Sequence, residues 1–233
     1  KAANPVNLMG ASKRIMEKFL LNRSQSISIS TARFANVAFS DGSLLHGFNQ
    51  RIAKKQPLVA PHDVKRYFVT PEESGELCLM SALFGENRDV FFPKENTEFA
   101  LTSFTDITMR YLNSIGFEPF ICSNEDDARA RIDELIPQKK WPCLFTSSDT
   151  TGEKEEEEFY SSKEILDLNR FRSLGIIKND FMDESDKIHE FRSKMEYWKK
   201  SGNWNKEDIV GAFQEIIPEF QYEDLGKYLD QKM

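Results

Sequence analysis

Apolar positions along the first 136 residues switch repeatedly between a helical and a two-residue period. Ile15, Met16, Phe19 and Leu20 fall on one stripe of a helix that follows Pro5 and runs to about Arg23. Residues 26–39 alternate Ile27, Ile29 and Thr31 with serines before turning apolar, the pattern of a strand feeding an α/β sheet. Asp41-Gly42-Ser43 then opens a helix with Leu44, Phe48 and Ile52 on one face. Pro57 to Ala60 reads as a short strand, Pro71-Glu72-Glu73 starts a helix carrying Leu77, Met80 and Phe84, and Asp89 to Phe92 is a further strand. Phe104, Ile107, Tyr111 and Ile115 form another amphipathic helix, and Ala128, Ile132 and Leu135 a shorter one closed by Pro137. This alternation predicts a three-layer α/β body ending near residue 136.

Residues 147–163 are polar, with Gly152 and the run Glu155 to Glu158, and read as a solvated loop or linker rather than an acidic binding site. Beyond it Ile188, Phe191, Met195 and Trp198 make a helical stripe, and Ile209, Phe213 and Ile216 a second one stopped by Pro218. The expected division is therefore 1–136, an α/β catalytic and substrate-binding part, and 137–233, an irregular and then helical C-terminal extension whose aromatics pack as core or interface.

The composition, 39% hydrophobic and 30% charged over 233 residues with 19 Phe, supports a folded globular protein. A formal charge of -7 provides no general basic surface, so nucleic acid is not an expected partner. No apolar stretch approaches the roughly 20 residues that cross a bilayer, and the N-terminus has no signal-peptide pattern, so a cytoplasmic location is expected for this part. The sequence opens at Lys1 without an initiator Met, which reads as a processed chain or an excerpt. Cys78, Cys122 and Cys143 read as reduced and structural, and His46, His62 and His189 fall in no ligand spacing beside them, so no metal site is expected.

The most chemically suggestive stretch is Lys1-Ala-Ala-Asn-Pro5-Val-Asn-Leu-Met9-Gly-Ala-Ser-Lys13. It resembles the P-x-x-x-Y-G-x-[ST]-K signature of extended short-chain dehydrogenases, with Met9 in the tyrosine position. The run "KAANPVNLMGASKR" is similar to the subgroup of nucleotide-sugar 4,6-dehydratases acting on N-acetylglucosamine nucleotides, in which Met can stand for Tyr. The resemblance continues through "ARFANVAFSDGSLLHGFNQRI", "KRYFVTPEESGELCLMSALF" and "DVFFPK", about the first 120 residues. It implies the second half of a Rossmann-like sheet with a small substrate-binding subdomain and a helical C-terminal extension. The family's first half carries a G-x-x-G-x-x-G turn for the NAD pyrophosphate, and none of the 11 glycines here has that spacing. This chain alone is therefore not expected to hold NAD well; NADP is the less expected cofactor.

Lys13 lies one helical turn after Met9 on the same face, able to reach a nicotinamide ribose. The resemblance implies that Lys1 follows a Thr-Asp pair, that cofactor oxidation at sugar C4 acidifies the C5 proton, and that Lys1 removes it while the Asp protonates the departing C6 hydroxyl. A lysine base must be partly neutral, which burial and a neighbouring charge such as Lys13 favour. Met9 cannot take the C4 hydroxyl proton, and the group that does stays open. The resemblance also implies that the Ala35 backbone meets the nicotinamide amide and that Asn36 contacts the sugar. Gly42 and Ser43 open a helix whose N-terminus can receive phosphate, and the resemblance implies that Arg66 pairs with the diphosphate through its planar fork. His46 is given no role. The implied activity is an NAD-dependent 4,6-dehydration of an NDP-N-acetylglucosamine, UDP or GDP, for polysaccharide biosynthesis. The alternatives are an epimerase or reductase of the same family, or a non-catalytic interaction module. The helix at 10–23 is expected in a homodimer or higher homo-oligomer, as in family members.

Overall fold

The computed structural model describes residues 1–96, 99–148, 154, 156–222 and 226. Helix α1, Leu8–Arg23, starts at Asn7, whose side-chain oxygen accepts the Gly10 N–H at 2.8 Å. Strands β1 (Thr31–Ala32) and β2 (Asn36–Val37) lead to α2 (Leu44–Ala53), capped by Ser43. Then come β3 (Leu58–Pro61), β4 (Lys65–Arg66), β5 (Phe68–Val69) and α3 (Pro71–Phe84). Thr70 and Glu73 form a reciprocal capping box at the start of α3, with Pro71 in its first turn, where a missing N–H costs nothing. Next are β6 (Val90–Pro93), β7 (Thr102–Ser103), α4 (Phe104–Ser114), β8 (Glu118–Ile121), α5 (Glu125–Ala130) and α6 (Ile132–Leu135). The order closes with β9 (Lys140–Thr146), β10 (Ile165–Asp167), β11 (Leu174–Lys178), α7 (Ser185–Ser201) and α8 (Lys206–Ile216).

The fold is mixed α/β. One sheet has the order β1-β6-β11-β10, with β1 parallel to β6 and β11 antiparallel to both neighbours. A second, all-parallel sheet has the order β3-β9-β8. Two short pairs, β2 with β5 in parallel and β4 with β7 antiparallel, complete the pairing among the described residues. The second sheet shares a core with α2, α4 and α6, built on Phe48, Leu58, Leu112, Trp141 and Cys143. Ala11 and Ile15 of α1 bury against Ile216, Ile217 and Phe220, so the C-terminal helices are docked on α1.

Three expectations change. Residues 26–39 are not one strand: β1 and β2 belong to different sheets, separated by residues 33–35, where the Arg33 guanidinium is drawn into a buried ion cluster, and Ile27 stays exposed. The helix around Ala128 to Leu135 is two short helices meeting at Arg131, followed by a 3-10 turn at Ile136–Gln138. The α/β body does not stop at 136. β9 is the middle strand of the second sheet and β11 is interior to the first, with Cys143, Ile176 and Ile177 fully buried. Strands covered on both faces show apolar runs rather than alternation, as Trp141 to Phe145 and Leu174 to Ile177 do.

Among the described residues no helix is long and apolar enough to cross a membrane, and no group of three or more His, Cys, Asp or Glu is placed to hold a metal ion. All three cysteines are free, Cys122 and Cys143 buried and Cys78 exposed.

Candidate active site

The N-terminal segment meets the start of α1 closely. A Cβ on Gly10 would stand 2.9 Å from the Lys1 carbonyl oxygen and 3.3 Å from Pro5, so only glycine lets the helix approach the segment that carries Lys1. That approach brings the Lys1 ammonium to 3.3 Å from the Met9 sulfur. Lys13 is exposed one turn further along the same helix face.

Asn36 opens β2, held through its backbone N–H to the Tyr67 carbonyl at 3.1 Å and paired with Phe68 of β5. Ala35 beside it is buried in an apolar cluster with Tyr67 and Val69. Gly42 has φ +71°, a left-handed turn that lets Ser43 cap α2 by accepting the His46 N–H at 3.2 Å. Arg66 lies on β4 with its guanidinium 5.8 Å above the Phe104 ring and 2.7 Å from the Lys65 carbonyl. The structure thus brings Lys1 against Met9 and places Asn36 next to the Tyr67 backbone. His46 stands 3.8 Å from the exposed Asp41 carboxylate.

The acidic run is solvated in part: Glu156 and Glu158 are exposed, as expected, while Glu157 is half-buried. Gly152 and Glu155 lie outside the described residues, but Glu157 accepts from the Asn36 side-chain amide at 3.3 Å and from the Tyr67 N–H at 3.4 Å. Glu158 accepts from Asn4 at 3.1 Å and Lys154 at 2.9 Å, and Lys154 also donates to the Ala3 carbonyl. Burial pushes the Glu157 carboxyl up, while the charges of Arg66 and Lys1 pull it back down. Sequence reasoning missed this contact; its one signal was Phe159 directly after the charge run.

Arg33 was also missed. It donates to Glu17 twice at 2.7 Å, to Glu164 at 2.8 and 3.0 Å, and to the Phe159 carbonyl at 2.7 Å. Burial opposes its charge, but the two carboxylates outweigh that and hold the guanidinium more firmly protonated than in water. Tyr67, the aromatic hydroxyl nearest in sequence to Arg66, is pushed up to about 12 by burial and by Glu95. It therefore stays protonated at neutral pH.

The residues expected at a nicotinamide fit in part. Lys13 is accessible beside Met9 and the backbone at Ala35 adjoins Asn36. Among the described residues no turn with the dinucleotide glycine spacing joins a strand to a helix; the turn between β2 and α2 carries Gly42 alone.

A family described as "Polysaccharide biosynthesis protein" matches residues 1–174. The chain is 34% identical over 97 residues to the probable polysaccharide biosynthesis protein EpsC of Bacillus subtilis (strain 168), covering 39% of this chain and 16% of that protein. It is 30% identical over 100 residues to the UDP-glucose 4-epimerase of Rickettsia canadensis (strain McKiel), covering 40% of this chain and 29% of the epimerase. The X-ray structure of Pen from Bacillus thuringiensis superimposes with a TM-score of 0.58 at 18% identity, covering 85% of this chain and 60% of Pen. The chain thus spans less than a third of these two curated relatives.

Proposed function

The chain belongs to the polysaccharide biosynthesis protein family, and from that premise we propose that it is the catalytic and substrate-binding part of an NAD-dependent nucleotide-sugar 4,6-dehydratase acting on an NDP-N-acetylglucosamine. The relatives named for polysaccharide biosynthesis and for UDP-glucose epimerisation support nucleotide-sugar modification as the reaction class. The observation that carries the narrower reading is the Lys1 ammonium held 3.3 Å from Met9 at the start of α1. Oxidation at C4 is common to dehydratases and 4-epimerases, but only elimination uses a second base at C5, and Lys1 is the group in contact with position 9 that can be one.

In this reading Lys1 removes the C5 proton, and Lys13 and the Ala35 backbone meet the nicotinamide side of the cofactor. Asn36 contacts the sugar, and Arg66 with the α2 N-terminus at Gly42 and Ser43 takes the diphosphate. Met9 shapes the site without transferring a proton. NAD⁺, when bound, accepts the C4 hydride and returns it to C6. The acid for the C6 hydroxyl is not among these residues.

The second reading, a nucleotide-sugar 4-epimerase, is favoured by the Rickettsia canadensis relative. The protein as encoded by its gene, incubated with UDP-N-acetylglucosamine and NAD⁺, separates the two by product NMR. A C6 methyl signal from a 4-keto-6-deoxy sugar supports dehydration. A C4 epimer with its C6 hydroxyl intact overturns it.

A further inference from the structure

Glu157 lies in a segment whose position is fixed from several sides. Phe159, two residues on, is buried with its ring centroid 5.2 Å from Tyr67 and 6.3 Å from Phe92, the latter stacked. Its carbonyl accepts from Arg33, and Glu164 is bound by Arg33 and Arg14. On the other side Glu158 and Lys154 grip Asn4 and the Ala3 carbonyl, in the segment that begins with Lys1. The same strap therefore touches the segment carrying the candidate base and the strand carrying the candidate sugar contact.

The bonds made by Glu157 are a poor return for burying a carboxylate. At 3.3 and 3.4 Å both exceed the usual hydrogen-bond distance, and its desolvation is incompletely compensated. Such local costs concentrate at functional sites. What the contact does accomplish is directional. A carboxylate accepts and does not donate, so it holds the Nδ2 end of the Asn36 amide towards itself, and the flipped amide would set oxygen against oxygen. Asn36 is thereby left to offer its Oδ1 as an acceptor to a ligand.

We propose that Glu157 is a positioning residue of the nucleotide-sugar site, which fixes the Asn36 amide so that its oxygen accepts a hydrogen bond from a hydroxyl or N-acetyl N–H of the sugar. The proposal rests on the nucleotide-sugar reading above and adds the orientation of Asn36 to it. Gln at 157 keeps an acceptor for both donors, Ala removes it, and Asp withdraws it by one methylene.

The test compares Glu157→Ala, Glu157→Asp and Glu157→Gln in the protein as encoded by its gene, with UDP-N-acetylglucosamine as probe. KM should rise about tenfold in the Ala and Asp variants, the scale of one lost hydrogen bond that leaves a polar group unpaired, and return to within about threefold in Gln. The Asn36 side-chain amide resonances should move in Ala and Asp and stay near their wild-type positions in Gln. A merely structural role would instead lower the melting temperature of the variants without moving KM. Wild-type KM with unmoved Asn36 resonances in Asp and Ala overturns the proposal. Failure of the wild-type protein to convert the sugar overturns the dehydratase reading instead, since the resonances report the Glu157 contact independently of turnover.

Discussion

At the scale of single residues, the two lysines of the N-terminal motif have separable tasks. Lys1→Ala should leave nucleotide-sugar and NAD binding largely intact and slow turnover by about 100-fold or more, the usual scale for loss of a general base. Lys13→Ala should weaken NAD binding, read by titration of the cofactor, because its expected partner is the nicotinamide ribose. Equal losses of turnover and of cofactor affinity in both variants would contradict this division. The motif was legible because thirteen residues in fixed spacing carry more information than any one of them; the contact of Lys1 with Met9 at 3.3 Å was not. Glu157 and Arg33 were not legible. A run of acidic residues looks like solvated surface, and nothing local tells that the next aromatic, Phe159, pulls it inward.

At the scale of elements, α1, the segment after β1 and the strap are joined through Arg33, whose side chain is 7% exposed against 13% for Glu17 and 8% for Glu164. Arg33→Ala leaves the Glu17 and Glu164 carboxylates with Arg14 as their shared cation and should cost about 3 kcal/mol by urea unfolding, the lower end of the range for a broken buried pair. Burial alone would raise the Glu164 carboxyl, but hydrogen bonds from Arg33 and its charge hold it below the ordinary value. Its contribution to stability is therefore fully present above the usual glutamate range, about 4.3, and is lost as pH falls through the lower folded value. Wild type and Glu164→Gln should differ in urea midpoint at neutral pH and converge on acidification; a constant gap down to pH 3 would contradict the assignment. Helices were read well from the sequence because apolar stripes and caps such as Thr70-Pro71 with Glu73 are local. The strands β9 and β11 were missed because their apolar runs lack alternation and their partners are distant in the chain. A chain stopped at residue 136 would remove β9 and β11, each interior to a sheet. It should show no cooperative thermal transition by circular dichroism; a sharp transition would restore a boundary there.

For the whole molecule, α1 has two apolar sides. Ala11 and Ile15 are covered by the residues around α8, whereas Met16 and Leu20 remain 52% and 41% exposed. We propose that this second side meets a second copy of the chain, so the wild type should be a dimer by light scattering and Met16→Glu with Leu20→Glu a monomer with little loss of stability; a monomeric wild type would contradict this. The fold class was legible because alternating helices and strands allow few arrangements. The central claim is chemical, that Lys1 drives an elimination across C5 and C6. Its most direct test is conversion of UDP-N-acetylglucosamine by the protein as encoded by its gene in D₂O with NAD⁺, followed by NMR of the product. The expected product is a 4-keto-6-deoxy sugar with deuterium at C5, and both its formation and C5 exchange should be lost in Lys1→Ala. A C4-epimerised product with no deuterium at C5, or undiminished exchange and turnover without Lys1, would contradict it.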